Sequence, residues 1–561
     1  MPLESGTGLP TREPETMGQE THATERGTVP DAPATRTTDN SGMRPAPGAS
    51  AALTCGPVRE TWAPREPRRG FALKPNRDSM TDPTPPSKTA GEMMIGYFKD
   101  FGVLKETGLE FWGIQIINFL DCTFYFAMLT IVTLFLSHDL GMSDERAGYT
   151  VAVFTSAVTL LLTFSGAMTD WMGIRLSLRV SMGSSLVLRA LMVFVGITPS
   201  LPDRGWIAAG LLVLMAPFMA GIQTIFQAAC QRYTTQRSRS AGFNLWYLFM
   251  NIGAAAGGAA VDIVRLQLKV SNVHIFTMGV ATAVLCLVFA EAMVRREKQL
   301  RGPDEEPEPV AEKKEKKTPW RIFVSVVTER AFFRLVVLIA LILGVRAVYT
   351  YLYLLMPKYW ERTIGPDAAI GVLNMINPIG IVVGIILFIP FANKFKVFDL
   401  LVYGAMVSAF ALFPMALPWQ VYGPDIARSH YIMAILCMVI VTVGEVLWSP
   451  KLNEYTAAIA PIGQEGTYLG LSLIPWFLAK TLVSAFSGHM LTRWSPEKVS
   501  VNGTDVPLQQ ALIHNQVPYW HSPAAMWFIL GVYAMVGCIL ALFLRRWLTQ
   551  GAHWKRPATH A

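Results

Sequence analysis

Five ionisable side chains stand inside otherwise apolar stretches: Asp121, Arg189, Arg346, Glu445 and Lys480. A charge in hydrocarbon is expensive, so such a residue faces a cavity or a partner. Asn118, Asp121 and Tyr125 are spaced i, i+3, i+7, which is one helix stripe. Arg346, Tyr349 and Tyr353 repeat that spacing, and Trp476 and Lys480 lie one turn apart. Such stripes are expected to line a cavity between helices. Asp121 is the candidate proton carrier, because desolvation and a moving cation push a carboxyl's proton affinity in opposite directions. The competing reading is a static, hydrogen-bonded Asp121. Arg346 offers a bidentate fork, and Lys480 a point charge, to a carboxylate or other anion. Charge balance against Asp121 and Glu445 is the alternative. Arg189 is read as snorkelling or pairing near a span end. No phosphate-binding glycine loop, catalytic triad or metal-ligand cluster is read. The expectation is therefore no enzyme, no ATP-driven pump, no metal and no cofactor.

The elements that must hold these groups are membrane helices. Of 561 residues 52% are apolar and 16% charged, against about 25% charged in an ordinary soluble domain. Twelve apolar runs near the bilayer-spanning length of about 20 residues follow one another. They are spans 1 to 12: about 110–136, 147–168, 174–197, 206–229, 242–264, 273–294, 333–356, 368–392, 398–417, 430–449, 466–491 and 523–546. A soluble enzyme, a disulfide scaffold and a nucleic-acid-binding domain are excluded as the main reading. The six cysteines form no CxxC or pairing pattern and read as small apolar residues. No cleavable signal peptide is read, so span 1 is expected to direct insertion.

Residues 1–95 hold 14 of the 36 prolines and two aromatics, Trp62 and Phe71. They read as a disordered tail, either regulatory or the product of a misassigned start, with Met80 and Met93 as alternative starts. Residues 96–294 form a six-helix half, 295–330 a charged linker, 331–548 a second six-helix half, and 549–561 a short tail. Lys and Arg collect in the joins 2–3, 4–5, 6–7 and 8–9 and after span 12; eleven lie between Arg295 and Arg334. Basic loops stay cytoplasmic. Both termini are thus expected in the cytoplasm, and the protein in the inner (plasma) membrane.

The join between spans 2 and 3 reads Gly166-Ala-Met-Thr-Asp170-Trp-Met-Gly173-Ile-Arg175. It resembles the loop signature G-x-x-x-D-x-x-G-x-R of the major facilitator superfamily, with Trp171 where a basic residue is common. Gly166 permits close helix approach, Gly173 a tight turn, and Asp170 can pair with Arg175. Further along come Phe243 to Gly253 with Tyr247 and Asn251, then Ile376-Asn377-Pro378, Gly444-Glu445…Ser449-Pro450 and Trp476-Phe477-Leu478-Ala479. In this order they resemble the proton-dependent oligopeptide transporter family over about residues 110 to 546. The resemblance implies an all-α integral membrane protein, twelve helices in two six-helix halves, the major facilitator fold.

The departures are as informative. Where that family has E-x-x-E-R in span 1, this chain has Asn118, Asp121 and Cys122. The positions of its peptide-clamping cations hold Leu129 and Gln223. Glu445 matches the family acid that receives a substrate amine; an ion pair with Lys480 is the structural alternative. The implied substrate pocket is Asn118, Tyr125, Gln223, Tyr247, Asn251, Arg346, Tyr349, Tyr353, Asn377, Glu445, Trp476 and Lys480, with Asp121 and Glu445 coupling protons. The implied activity is proton-coupled symport of short peptides or a related small zwitterion or anion by alternating access. Proton-antiport export of drugs or metabolites is one alternative, and a non-transporting receptor on a transporter fold another. The implied partners are a small-molecule substrate, protons and the bilayer, with no nucleic acid and a monomer as the working unit. Pro378, Pro390 and Pro450 are expected to kink or break their helices.

Overall fold

Continuous apolar runs can satisfy their backbone in lipid only as helices, and helices are what these runs form. A computed structural model describes residues 101–235, 237–295, 300, 328–392, 395–459 and 473–551. The tail 1–95 and most of the linker 295–330 lie outside the described residues. The membrane part belongs to one unit, Pro85–Ala561. Spans 1 to 6 are Leu109–Leu134, Asp144–Met172, Ile174–Ile197, Arg204–Arg232, Arg239–Asp262 and Val273–Met293. Span 7 is the pair Arg330–Leu341 and Leu343–Leu354, and spans 8 to 12 are Ile370–Ala392, Val397–Phe410, Ile426–Ile459, Leu473–Trp494 and Pro523–Phe543.

Among the described residues nine helices are long and apolar enough to cross a membrane, and span 7, bent by 49°, makes a tenth. Spans 2 and 11, 29 and 22 residues long, complete the twelve-helix arrangement. They are less apolar because they meet each other rather than lipid alone. A Cβ on Gly488 would lie 2.7 Å from the Asp144 carbonyl oxygen, and Ser156 and Thr481 share a hydrogen bond of 2.6 Å. Spans 5 and 8 meet the same way, with a Cβ on Gly258 only 2.6 Å from the Gly371 carbonyl oxygen.

Of the kinks or breaks expected at the prolines, no break falls at Pro378 or Pro450. Spans 8 and 10 run on through Pro378 and Pro450, while the sharp bend falls at Ile342 of span 7, where there is no proline. There a Cβ on Gly537 of span 12 would collide with the Leu341 carbonyl oxygen. Span 12 thus sits close against the carbonyl at the break.

Between spans 11 and 12 lies a small cap: strands β1 (Lys498–Val501) and β2 (Thr504–Pro507), paired antiparallel, and a helix Leu508–Ile513. Leu508 and Leu512 pack on Ile426 at the start of span 10.

Candidate functional site

The bend in span 7 places Arg346 one turn beyond the break, turned toward the junction of the halves. There a cavity of about 190 Å³ is lined by Phe126 of span 1, Tyr247 and Asn251 of span 5, Arg346, Tyr349 and Tyr353 of span 7, Asn377 of span 8, and Glu445 and Trp448 of span 10. Taking about 30 Å³ per water, it has room for about six. Asn377 donates to Glu445 Oε2 at 2.9 Å and to Thr442 at 3.1 Å. The Arg346 guanidinium lies over the Trp448 ring, 4.8 Å from its centroid, a cation–π contact that holds it in place. Trp448 is itself fixed: its Nε1 donates to Tyr349 Oη and to Ser408 Oγ, both at 3.2 Å. Tyr349 and Ser408 share a further bond of 2.8 Å. Lys480 on span 11 is close enough to Arg346 to act on it electrostatically.

The span 7 stripe Arg346, Tyr349, Tyr353 therefore faces the cavity as its spacing indicated. The span 1 stripe does not: none of Asn118, Asp121 and Tyr125 is among the residues lining it, and span 1 contributes Phe126 instead. Asn118 turns into the N-terminal half and donates to the Trp246 carbonyl at 3.0 Å. Asp121 accepts from Arg189 Nη2 at 2.6 Å, with the guanidinium fully buried. Arg189 is also held by the Gly279 carbonyl at 3.0 Å and by the Phe124 ring at 3.9 Å. It neither snorkels nor sits at a span end. Tyr125 stands edge-on to Phe126, 5.4 Å between centroids, and Phe126 meets Tyr353 at 5.9 Å. Gln223 is half-buried and is not among the residues lining this cavity. The side chain of Trp476 lies outside what is described, as do those of Gly166 and Asp170. Gly173 ends span 2 at φ 79°, a left-handed conformation that favours glycine, and Arg175 bonds Glu291 of span 6 at 2.9 Å.

Sequence reasoning missed Trp448 and Phe126 in the cavity. It also missed how the halves are held together at the end carrying joins 1–2, 5–6, 7–8 and 11–12. Asp144 binds both Lys358 and Arg362 of the short helix Met356–Thr363. Burial alone would raise the Asp144 carboxyl, but the two cations outweigh it and hold it below the usual carboxylate range. Arg265 reaches Glu361 at 3.4 Å, and Asp262 accepts the Gly371 and Val372 amides at 2.8 and 2.7 Å, capping span 8. This end is closed.

The family model of the Major Facilitator Superfamily matches residues 114–484. Comparison with curated proteins finds no match. Among solved structures, the chain is similar to a bacterial homologue of the human drug peptide transporters PepT1 and PepT2, with 17% identity, TM-score 0.57, and coverage of 79% of this chain and 99% of that one. It is also similar to a structure from work on proton dependent oligopeptide transporters, with 14% identity, TM-score 0.59 and coverage of 79% and 99%. An auto-inhibited POT family peptide transporter matches at 14% identity, TM-score 0.58, covering 80% and 99%. At such identities the likeness is one of fold. A helical membrane fold with a cavity at the junction of its halves, and a family match over residues 114–484, make the chain a multi-pass membrane transporter and not an enzyme: it belongs to the Major Facilitator Superfamily.

Proposed function

We propose that this chain is a proton-coupled symporter of a small zwitterion or anion, with short peptides as the first class to try. The reading rests above all on one observation: an acid, Glu445, and a stacked cation, Arg346, share a tyrosine-lined cavity between the halves. Charges are kept inside a membrane where they meet substrate or a partner. Glu445 takes a substrate amine, and Arg346, supported by Lys480, takes a carboxylate through its planar fork. Both charges belong to the C-terminal half. The N-terminal half adds Phe126, Tyr247 and Asn251, and among the described residues lining the cavity it places no cation opposite, so a short zwitterion fits this layout better than a long one.

In the cycle, substrate and proton enter from the outer face, and Glu445 and Arg346 re-pair with them. The loss of separated charge favours the closed, occluded arrangement. The halves then rock about the midplane, with the break at Ile342 absorbing the change in span 7. The protein works as a monomer in the plasma membrane with both termini cytoplasmic.

The test is proton influx into liposomes holding a pH-sensitive dye, with an inside-negative potential and a mixed di- and tripeptide pool. Peptide-dependent acidification that is lost in folded Glu445→Gln supports the reading. Equal acidification in Glu445→Gln and wild type refutes the role of Glu445. Efflux of protons on substrate entry would establish antiport instead.

A further inference from the structure

Span 3 carries Ser177, Ser181, Ser185 and Arg189 at intervals of four residues, one column on one helix face. All four are 0% exposed. None of the three serine hydroxyls has a hydrogen-bond partner among the described residues. Thr133, Ser484 and Ser495 are likewise without a partner among the described residues, but none of them stands in such a column, and other hydroxyls bond within their own helix. Thr130, Ser137, Thr159 and Thr169 all bond back to the carbonyl four residues earlier. On span 1, Gln115 is also 0% exposed; its Nε2 donates to Cys230 Sγ of span 4 at 3.8 Å, and its Oε1 has no partner among the described residues. The column begins one turn beyond Gly173, at the join 2–3 end, and finishes at the Asp121–Arg189 pair.

A buried hydroxyl that bonds to nothing loses its water contacts without compensation, and three in a row are not explained by packing alone. Their spacing has a geometric meaning. Four residues of helix rise about 6 Å. That is too far for one hydroxyl to reach the next, but close to two successive hydrogen bonds of about 2.8 Å through a single water.

We propose that Ser177, Ser181 and Ser185 line a hydrated relay that connects the Asp121–Arg189 pair with water at the join 2–3 end of span 3. This rests on the proton coupling proposed above. Asp121 passes its proton to the first water, each water accepts one proton and hands on another, and one proton emerges at the far end. The Asp121 carboxylate left behind closes on Arg189, so charge and protons balance. Among the described residues, the other titratable groups near Asp121 are Cys122 and Tyr125 on its own helix and Cys286 on span 6.

The test uses a shape-matched pair, Ser181→Val and Ser181→Thr, in the full-length protein. The rate at which the Asp121 carboxyl responds to a pH jump is followed by time-resolved infrared spectroscopy, its band assigned by the shift in Asp121→Glu. Ser181→Val is expected to slow that response about tenfold or more, and Ser181→Thr to stay within about twofold of wild type. Should Ser181→Val not fold, Ser185→Val and Ser185→Thr give the same contrast. Equal rates in the Val and Thr variants, or an Asp121 that never changes protonation in wild type, overturn the relay. Proton influx with substrate is measured on the same proteins. A Val–Thr contrast at Asp121 without any wild-type influx would leave the relay standing and refute the symport reading.

Discussion

Asp144→Asn should unlock the closed end, the one carrying joins 1–2, 5–6, 7–8 and 11–12. Asp144 binds both Lys358 and Arg362, whose side chains are 1% and 8% exposed against 15% for Asp144 itself. Removing it leaves two nearly buried cations side by side. Breaking a buried pair from one side costs about 3–5 kcal/mol. The trio still touches water, so the low end applies, about 3 kcal/mol or about a hundredfold in the equilibrium between the closed and open forms of this end. A population of about 99 to 1 in favour of closure would become about even. Spin labels at exposed Ser200→Cys and Thr504→Cys, one on each half, read this as a second, longer distance in Asp144→Asn. The triple change Asp144→Asn, Lys358→Met, Arg362→Met should restore the short distance, because an apolar replacement of the whole cluster removes the stranded charge. A folded Asp144→Asn that keeps only the short distance would refute the reasoning. The pH dependence has a definite sign. The closed state lowers the Asp144 carboxyl, so its support for closure is complete above the ordinary carboxylate value of about 4 and is lost only as pH falls through the lower closed-state value. Between pH 5 and 8 the Asp144 carboxyl should therefore not respond, and any pH-driven opening in that window must come from another group.

Two further outcomes are expected. Asp121→Asn leaves the guanidinium of Arg189 buried without its counter-charge and should destabilise the protein by about 3–5 kcal/mol. Asp121→Leu combined with Arg189→Met should recover most of that in thermal unfolding yet remain unable to couple protons, whereas full coupling in the double variant would show the pair to be structural only. Phe126→Ala removes the ring between Tyr125 and Tyr353, an aromatic contact worth about 0.5–1.5 kcal/mol. It should preserve substrate exchange while lowering proton-driven accumulation, and unchanged accumulation would sink the idea that this contact links the halves.

The helices were legible because a bilayer demands long apolar runs, and most expected spans lie within a few residues of the observed ones. Span 7's stripe was legible because its residues share one helix. What could not be read were partners distant in the chain. Asp121 and Arg189 are 68 positions apart, Asp144 and Lys358 214. Periodicity says which face a residue occupies, but span 1 is buried nearly all round, so its polar stripe could point to the cavity or into its own half. The bend in span 7 was illegible for the same reason: it lies against a glycine on span 12, while the prolines that drew attention sit in helices whose neighbours hold them continuous.

The two halves thus hold their charges differently. Within the C-terminal half, Glu445 and Arg346 face the cavity, where substrate can compete for them. In the N-terminal half, Asp121 and Arg189 are sealed against each other, out of substrate's reach. If both sites take part, substrate binding must be felt at Asp121 without touching it. A contiguous route exists: Arg346 and Tyr353 lie on one face of span 7, Tyr353 meets Phe126, Phe126 meets Tyr125, and Tyr125 is one turn from Asp121. Contiguity alone does not carry coupling; an element with two arrangements must lie on the route. Span 7 is the candidate, since the 49° break at Ile342 separates the segment bearing Arg346 and Tyr353 from Arg330–Leu341. A tilt that follows substrate would press or release Phe126 and so shift span 1 against span 3, where Arg189 holds the carboxylate. The proton and the substrate then communicate through the packing of two helices, with no charge carried across the cavity between them.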